Sequence, residues 1–194
     1  MTTASAAIRP RVLADLLPGS LVRDVLLVAG AAALTGLVAQ VAIPLVPVPV
    51  TLQTFTVLLA GAALGPLRGG ASMLLYLAVG AAGVPWFAEQ HSGIAIPTFG
   101  YIIGFVLAAV VVGALARRGA DRTVRGTLTI MVLGNLIIYA VGVPYLIAAL
   151  SVDVPTGLGY GLWPFLIGDA LKIALAAGLL PATWRLVGDR PSRE

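Results

Sequence analysis

The chain has 194 residues, of which 59% are hydrophobic and 10% are charged, and its formal net charge is +4. Soluble domains carry about 25% charged residues, so this composition and a mean hydropathy of +1.02 exclude an ordinary soluble domain and predict an all-α integral membrane protein. The chain has no cysteine and one histidine, His91, which excludes disulfides and metal sites built from thiolates or several imidazoles.

Residues 1–20 are predicted to form a cytoplasmic tail, because two prolines interrupt them and they lack the continuous apolar core of a cleaved signal peptide. Within this tail, an amphipathic turn at residues 12–17 is expected on the membrane surface. The first span is predicted over residues 25–43. It carries small residues four positions apart, among them Ala29 and Ala33. This spacing permits another helix to approach closely, although an alanine-rich helix without a partner would look the same.

Three prolines exclude a helix over residues 43–49 and predict an extended connection at the outer membrane face, which we interpret as a candidate lid. The second span, predicted over residues 50–64, begins with Thr51, a capping residue type. Gln53 adds a hydrogen-bonding side chain at the outer end, although capping alone also explains these residue types. A tight turn and a third span over residues 71–84 follow. Both spans are shorter than the roughly 20 residues that cross a bilayer, which favours helices that border a cavity.

The loop predicted at residues 85–98 mixes aromatic, polar and glycine residues, as binding and gating loops do. Its candidate ligand contact is Trp86. A place in the interfacial aromatic belt explains Trp86 equally well, and Glu89 also fits a solvated loop.

The last three spans are predicted from apolar runs, at residues 99–116, 128–150 and 162–180. A loop is predicted at residues 151–161. Tyr101 lies near the start of the fourth span and is a candidate binding residue. Tyr139 in the fifth span is another, and it shares a helix face with Asn135, four residues earlier.

The arginine distribution predicts the topology. With a cytoplasmic N-terminus, eleven arginines fall in inner segments and none falls in an outer loop. They are Arg9, Arg11, Arg23, Arg68, Arg117, Arg118, Arg122, Arg125, Arg185, Arg190 and Arg193. The positive-inside rule then predicts six transmembrane helices in a membrane domain of residues 21–186, with both termini cytoplasmic and a second tail at residues 187–194. Because these charges follow the topology, no nucleic-acid partner is expected.

Two charges interrupt the last apolar run, Asp169 and Lys172, and Lys172 is the only lysine of the chain. Three residues apart, they share one face of a helix. An ionised side chain inside a membrane helix costs about 2.5–3.5 kcal/mol on insertion scales, so it usually faces a partner or a wet cavity. At a rise of 1.5 Å per residue, the pair lies roughly 10–15 Å from the outer end of the span. We expect a pocket for a small solute rather than an open pore, with a structural ion pair as the alternative.

Four stretches, taken together, match a known family: residues 48–66, 74–87, 97–105 and 164–172. They include the elements Thr51-Leu52-Gln53-Thr54 and Gly168-Asp169-Ala170-Leu171-Lys172. In this order, over about residues 21–181, the chain resembles the BioY family, the biotin-binding S components of energy-coupling factor (ECF) transporters.

The resemblance implies a six-helix S component in the cell membrane of a prokaryote, which captures biotin from outside. It implies a partner module of one transmembrane coupling protein and two ATPases, onto which Ala29 and Ala33 would dock. The family's carboxylate and lysine map onto Asp169 and Lys172. Many members carry an asparagine in a Phe-Ala-Asn-like run, for which this chain has Phe87-Ala88-Glu89-Gln90. The resemblance therefore makes Glu89 or Gln90 the candidate replacement for this ligand contact, with absence of the contact as the alternative.

Biotin chemistry suits the two charged residues in two ways. The Asp169 carboxylate and the Lys172 ammonium can read the N–H and carbonyl groups of the ureido ring, or Lys172 can pair with the valerate carboxylate. Hydrogen bonds to charged groups contribute about 1.5–3 kcal/mol each.

The residues leave other functions open. An S component for thiamine or riboflavin would need more aromatic stacking groups than this chain offers, and a stand-alone proton-coupled carrier could use Asp169. An enzyme is not expected, because no catalytic constellation is evident, and no cofactor is expected. The chain has no Gly-x-x-x-x-Gly-Lys-Ser/Thr motif, so any ATP hydrolysis is assigned to partners. A purely structural helix bundle is the remaining alternative.

Overall fold

The computed structural model describes residues 12–188. Six α-helices account for most of them: α1 Leu21–Ala39, α2 Gln53–Ala81, α3 Phe99–Arg117, α4 Val124–Leu150, α5 Val154–Gly161 and α6 Leu166–Gly188. Within the described residues, five helical stretches are long and apolar enough to cross a membrane, and the last of them joins α5 to α6. The protein is a mostly helical multi-pass membrane protein. The predictions for residues 1–11 and 189–194, which hold four of the arginines, lie outside the described residues.

Helix α2 folds back on itself at Gly65, whose φ of 83° and ψ of 177° are not helical. In a straight helix, the 23 residues between Gln53 and Tyr76 would separate them by about 35 Å. Instead, Gln53 Nε2 donates to the Tyr76 hydroxyl at 2.8 Å. The predicted second and third spans therefore lie in two antiparallel arms of α2, and the predicted turn lies at the bend.

Glycines let the two arms of α2 and helix α3 meet backbone to backbone. A Cβ at Gly61 would lie 2.7 Å from the carbonyl oxygen of Ala109 in α3, and a Cβ at Gly69 would lie 2.8 Å from the Gly61 Cα. Neither position has room for a side chain, since packed interiors tolerate little added volume. The hydrophobic core lies here, with α3 packed between α2 and α4.

The segment before α1 packs against the bend of α2, and its location at the membrane surface stays a prediction. Val12 is 1% exposed and faces Gly65, and a short 3₁₀ turn, Leu13–Leu16, follows it. Arg68 pairs with Asp15 at 2.8 Å and with Asp24 at 3.0 Å. Burial pushes the pKa of Asp15 upward, but the hydrogen bond from Arg68 and its charge outweigh burial, so the pKa lies below its usual value.

Residues 43–49 contain no helix, as the prolines predicted. Two short strands, β1 Ala42–Ile43 and β2 Val50–Thr51, pair antiparallel and enclose this connection. This small hairpin is a departure from a wholly α-helical chain. It places the backbone of Thr51 at the start of α2, above the cavity described below.

The prediction of a loop over residues 151–161 was wrong from Val154 onward, where α5 begins. Asp153 caps this helix by accepting from the Thr156 N–H at 3.1 Å, which lowers the pKa of Asp153. Pro155 in the first turn fits a helix start, because its missing N–H is not needed there. Asp153 and Pro155 were the available signal for a helix start. Four of the eight residues of α5 are glycine or proline, and this composition obscured the signal.

We predict that Gly65→Ala destabilises the protein by about 1–3 kcal/mol, because the backbone at this φ and ψ is almost restricted to glycine. Unfolding by sodium dodecyl sulfate in mixed micelles measures the change. Gly178→Ala is the matched control, since a Cβ at Gly178 has open space, and it should change stability by less than about 1 kcal/mol. Equal stabilities of the two variants would contradict a strained bend.

Candidate small-molecule binding site

A cavity lies between α2, α3, α4 and α6, under the β1–β2 hairpin and the loop after α2. It contains about 560 Å³ of space between atoms, including open solvent at its mouth. Its lining comprises Val48, Pro49, Thr51, Gln53, Thr54, Phe87, Ala88, Thr98, Tyr101, Ile102, Phe105, Ile138, Tyr139, Phe165 and Lys172. The lining is mostly apolar and aromatic, with polar groups concentrated at α2, Tyr139 and Lys172.

The Lys172 ammonium uses all three of its protons in the described structure. Its Nζ donates to the Thr51 carbonyl oxygen at 2.7 Å, to Thr54 Oγ1 at 3.0 Å and to Asp169 Oδ1 at 3.0 Å. The side chain is only 8% exposed. An ammonium has three donors and no acceptor, so a ligand oxygen that binds Lys172 must replace one of these partners.

Both oxygens of the Asp169 carboxylate are also hydrogen-bonded. Oδ1 accepts from Lys172 and, at 3.1 Å, from Thr54 Oγ1, and Oδ2 accepts from the Tyr139 hydroxyl. Asp169 is 4% exposed and lies behind Lys172 and Tyr139 rather than on the cavity wall. The ion pair thus joins α6 to the start of α2 and to α4, and its geometry is fixed before a ligand enters.

Gln53 connects the cavity wall to the loop after α2. Its Nε2 donates to the Tyr76 hydroxyl, which donates to the Trp86 carbonyl oxygen at 3.1 Å. The Trp86 indole donates back to the Tyr76 carbonyl at 3.0 Å. Gln53 Oε1 accepts from Thr51 Oγ1 at 3.0 Å. This chain of bonds holds Gln53 in place, and it places Trp86 outside the cavity lining.

Four of the predicted site residues, Gln53, Tyr101, Tyr139 and Lys172, share the cavity wall. Tyr101 donates from its hydroxyl to the Gly161 carbonyl at 2.8 Å, which ties α3 to the end of α5. The predicted contacts in the 85–98 loop, Trp86, Glu89 and Gln90, do not line the cavity. Glu89 and Gln90 are exposed and have positive φ angles of 56° and 58°. On α1, the predicted docking residues Ala29 and Ala33 are both exposed.

Sequence reasoning missed Thr51 and Thr54 as members of the site. Their spacing of three residues beside Gln53 was the available signal, but it was interpreted as helix capping. Thr51 acts on Lys172 through its backbone carbonyl, which no side-chain pattern reveals. The aromatic wall residues Phe87 and Phe165 were also missed, since buried phenylalanines look like core residues in a sequence.

A second, much smaller cavity adjoins the ion pair and is lined by Asn135, Thr54 and Lys172, among others. Asn135 Nδ2 donates to the Met131 carbonyl at 3.1 Å, but its Oδ1 has no partner among the described residues. A buried carbonyl oxygen without a partner is uncommon in native proteins. Asn135 therefore adds an unused acceptor next to the polar end of the main cavity.

The cavity combines an apolar body with a polar end and a paired positive and negative charge, a pattern that suits a small solute with one polar edge. Within residues 12–188, no cluster of three potential metal ligands occurs. The cavity and the membrane-spanning helices together define a membrane protein that binds a small molecule. The chain belongs to the BioY family, whose sequence profile matches residues 5–189.

Named relatives agree with this assignment. A protein of Lysinibacillus sphaericus called "Probable biotin transporter BioY" is 45% identical over 132 residues, 66% of this chain and 67% of the relative. A protein of Pyrococcus horikoshii with the same name is 40% identical over 157 residues, 79% of this chain and 91% of the relative.

A solved structure has the same fold. The crystal structure at 2.1 Å of the S-component for biotin from an ECF-type ABC transporter superposes with a TM-score of 0.74 and is 25% identical. The match covers 84% of this chain and 92% of that chain. The fold is therefore that of an ECF S component, which is a substrate-binding subunit rather than an enzyme.

We predict that removing one partner of the ion pair destabilises the protein more than removing both. Asp169→Leu or Lys172→Met alone leaves a buried charge unpaired and should cost about 3–5 kcal/mol, whereas the double variant should recover much of this loss. Detergent-denaturant unfolding of the four proteins measures the coupling free energy. Leu171→Ala, at a site 65% exposed on the same helix, is the control. Additive losses in the double variant would contradict direct coupling.

Proposed function

We propose that this chain is the substrate-binding membrane subunit of a biotin uptake system, which captures biotin from outside and delivers it through an ATP-driven ECF module. The observation that carries the proposal is the Asp169–Lys172 pair at the end of an apolar cavity, in a chain of the BioY family. The names of the relatives and the solved biotin S component support the ligand.

Biotin matches the chemical division of the cavity. Its ureido and carboxylate groups are polar, whereas its thiophane ring and aliphatic chain are apolar. In the first pose, the ureido oxygen replaces the Thr51 carbonyl as an acceptor from Lys172, and the ring packs on the aromatic wall. In the second pose, the valerate carboxylate takes that place. Gln53, Tyr101 and Tyr139 supply further polar contacts, while Trp86, Glu89 and Gln90 act in the loop that closes the cavity.

The proposed partners are one transmembrane coupling protein and two ATPase subunits. The chain itself has one lysine and no nucleotide-binding motif, so the partner subunits would have to supply the energy of ATP hydrolysis. Ala29 and Ala33 lie exposed on α1, and small residues at this spacing suit close helix contact. Docking of the coupling protein on this face of α1 is part of the proposal, as is location in the plasma membrane of a prokaryote.

We predict that the purified protein binds biotin and that Lys172→Ala and Asp169→Asn each weaken binding by roughly 10- to 150-fold, the effect of losing a hydrogen bond to a charged group. Calorimetric titration in detergent measures the affinities, after size-exclusion chromatography has shown that each variant is folded. Leu171→Ala should bind as the parent does. Absence of biotin binding in the folded parent protein would refute the proposal, and tight binding of thiamine or riboflavin instead would reassign it.

The same titration distinguishes the two poses. Biotin methyl ester keeps the ureido ring but lacks the carboxylate. If Lys172 pairs with the carboxylate, the ester should bind the parent protein weakly and Lys172→Ala should not weaken it further. If Lys172 binds the ureido oxygen, Lys172→Ala should weaken the acid and the ester equally.

We also propose six spans with both termini in the cytoplasm, the two arms of α2 counting as separate spans. Because the chain has no cysteine, single cysteines report topology directly. We predict that a membrane-impermeant maleimide labels Ala95→Cys on intact cells and labels Leu67→Cys and Arg125→Cys only after permeabilisation. These three positions are exposed. Labelling of Leu67→Cys from outside would refute the six-span topology.

A further inference from the structure

Gln40 is the C-cap residue directly after α1, and its side chain joins this helix to the loop after α2. Gln40 Nε2 lies within hydrogen-bond distance of three carbonyl oxygens, those of Trp86 at 3.2 Å, Phe87 at 3.0 Å and, in its own helix, Gly36 at 3.1 Å, which share its two protons. Gln40 Oε1 accepts from the Gln90 backbone N–H at 3.2 Å. Three of these four bonds cross from α1 to residues 86–90.

The loop that Gln40 holds is a wall of the cavity. Phe87 and Ala88 line the cavity, and Phe87 is 1% exposed. Its ring lies edge-on to Tyr76, with ring centroids 5.3 Å apart. Because the side chain of Phe87 closes the cavity while its carbonyl binds Gln40, the position of the wall depends on the end of α1.

The loop conformation needs support from outside the loop. Glu89 and Gln90 have φ angles of 56° and 58°, which are uncommon for residues other than glycine. Within the loop, the Phe87 N–H donates a hydrogen bond to the His91 carbonyl oxygen at 3.1 Å. Such backbone conformations persist where neighbouring contacts determine them, and Gln40 binds the loop just before this pair, at the Trp86 and Phe87 carbonyls, and within it, at the Gln90 N–H.

Helix α1 also supplies the surface on which Trp86 rests. A Cβ at Gly36 would lie 3.1 Å from Trp86 Cε3, so the indole packs directly on the α1 backbone. The rest of α1 is largely exposed, and it contacts the protein through one face. The end of α1 and the 86–90 loop therefore pack together at the mouth of the cavity.

We propose that Gln40 is a positioning residue through which α1 holds the 86–90 loop across the cavity, so that ligand escape requires release of the Gln40 contacts. A glutamine amide suits this role because it has donors for the two loop carbonyls and an acceptor for the Gln90 N–H. A displacement of α1 would be transmitted to the cavity wall through these hydrogen bonds. The ligand in this inference, biotin, rests on the proposed function, whereas the loop contact does not.

The test compares Gln40→Leu and Gln40→Glu with the parent protein in lipid nanodiscs. Leucine removes all the bonds, and glutamate removes the donors while it keeps an acceptor. We expect Gln40→Leu to release biotin about tenfold faster or more, since three loop bonds are lost, with a smaller effect for Gln40→Glu. Association should change by less than about twofold. Val41→Ala, at the neighbouring position that is 61% exposed, should dissociate like the parent protein.

Hydrogen–deuterium exchange without ligand gives an independent readout. In Gln40→Leu, peptides covering residues 86–91 should exchange faster while peptides from α3 and α4 keep the parent rate. Faster exchange throughout the protein would indicate a merely structural role and overturn the proposal. So would unchanged exchange at residues 86–91, or faster local exchange with an unchanged biotin dissociation rate. If the parent protein binds no biotin, the proposed function fails, and the exchange result alone decides whether Gln40 holds the loop.

Discussion

The site depends on satisfying one buried ammonium group. Lys172 lies in a helix apolar enough to cross a membrane, where an unpaired charge is expensive. The protein meets this constraint with a carboxylate from α6, a hydroxyl from α2 and a backbone carbonyl from the β1–β2 hairpin. Each acceptor belongs to a different part of the fold, so the charge determines how these parts meet. A cavity bordered by such a cluster is polar at one end before any ligand arrives, and a ligand acceptor that binds Lys172 has to take the place of one of its three partners.

A second constraint is the reversal of α2 at Gly65. If α2 continued straight, Gln53 and Tyr76 would lie about 35 Å apart. Because the chain reverses, one element contributes both the wall residue Gln53 and the Tyr76 hydroxyl that orients it. The same reversal places the 85–98 loop next to the start of α2, so that the loop, the hairpin and the polar cluster meet at one end of the helices.

The sequence predicted those features that have a local or compositional signal. Two charges in an apolar run identified Asp169 and Lys172, and the Gly65-Pro66 pair indicated the turn between the arms of α2. The resemblance to the BioY family is confirmed. Features that arise from distant contacts were not predictable in the same way. The Thr51 carbonyl, the buried Phe87 and the packing of Val12 on Gly65 depend on neighbours far away in the chain. Helix α5 was missed because its glycines outweighed the cap at Asp153.

The contacts between glycines have a mechanical consequence. At the bend, a Cβ on Gly113 of α3 would lie 2.5 Å from the carbonyl carbon of Gly65, and a Cβ on Gly61 or Gly69 would also lie less than 3.0 Å from a backbone atom. No side chains lie between these backbones, so there is no layer of rotamers that could shear or repack. The two arms of α2 and helix α3 therefore form a stiff block, and deformation must be concentrated in parts joined by longer side chains. In this division, the block serves as the frame, and deformation is expected where the side chains of Gln40 and Trp86 join α1 to the loop after α2.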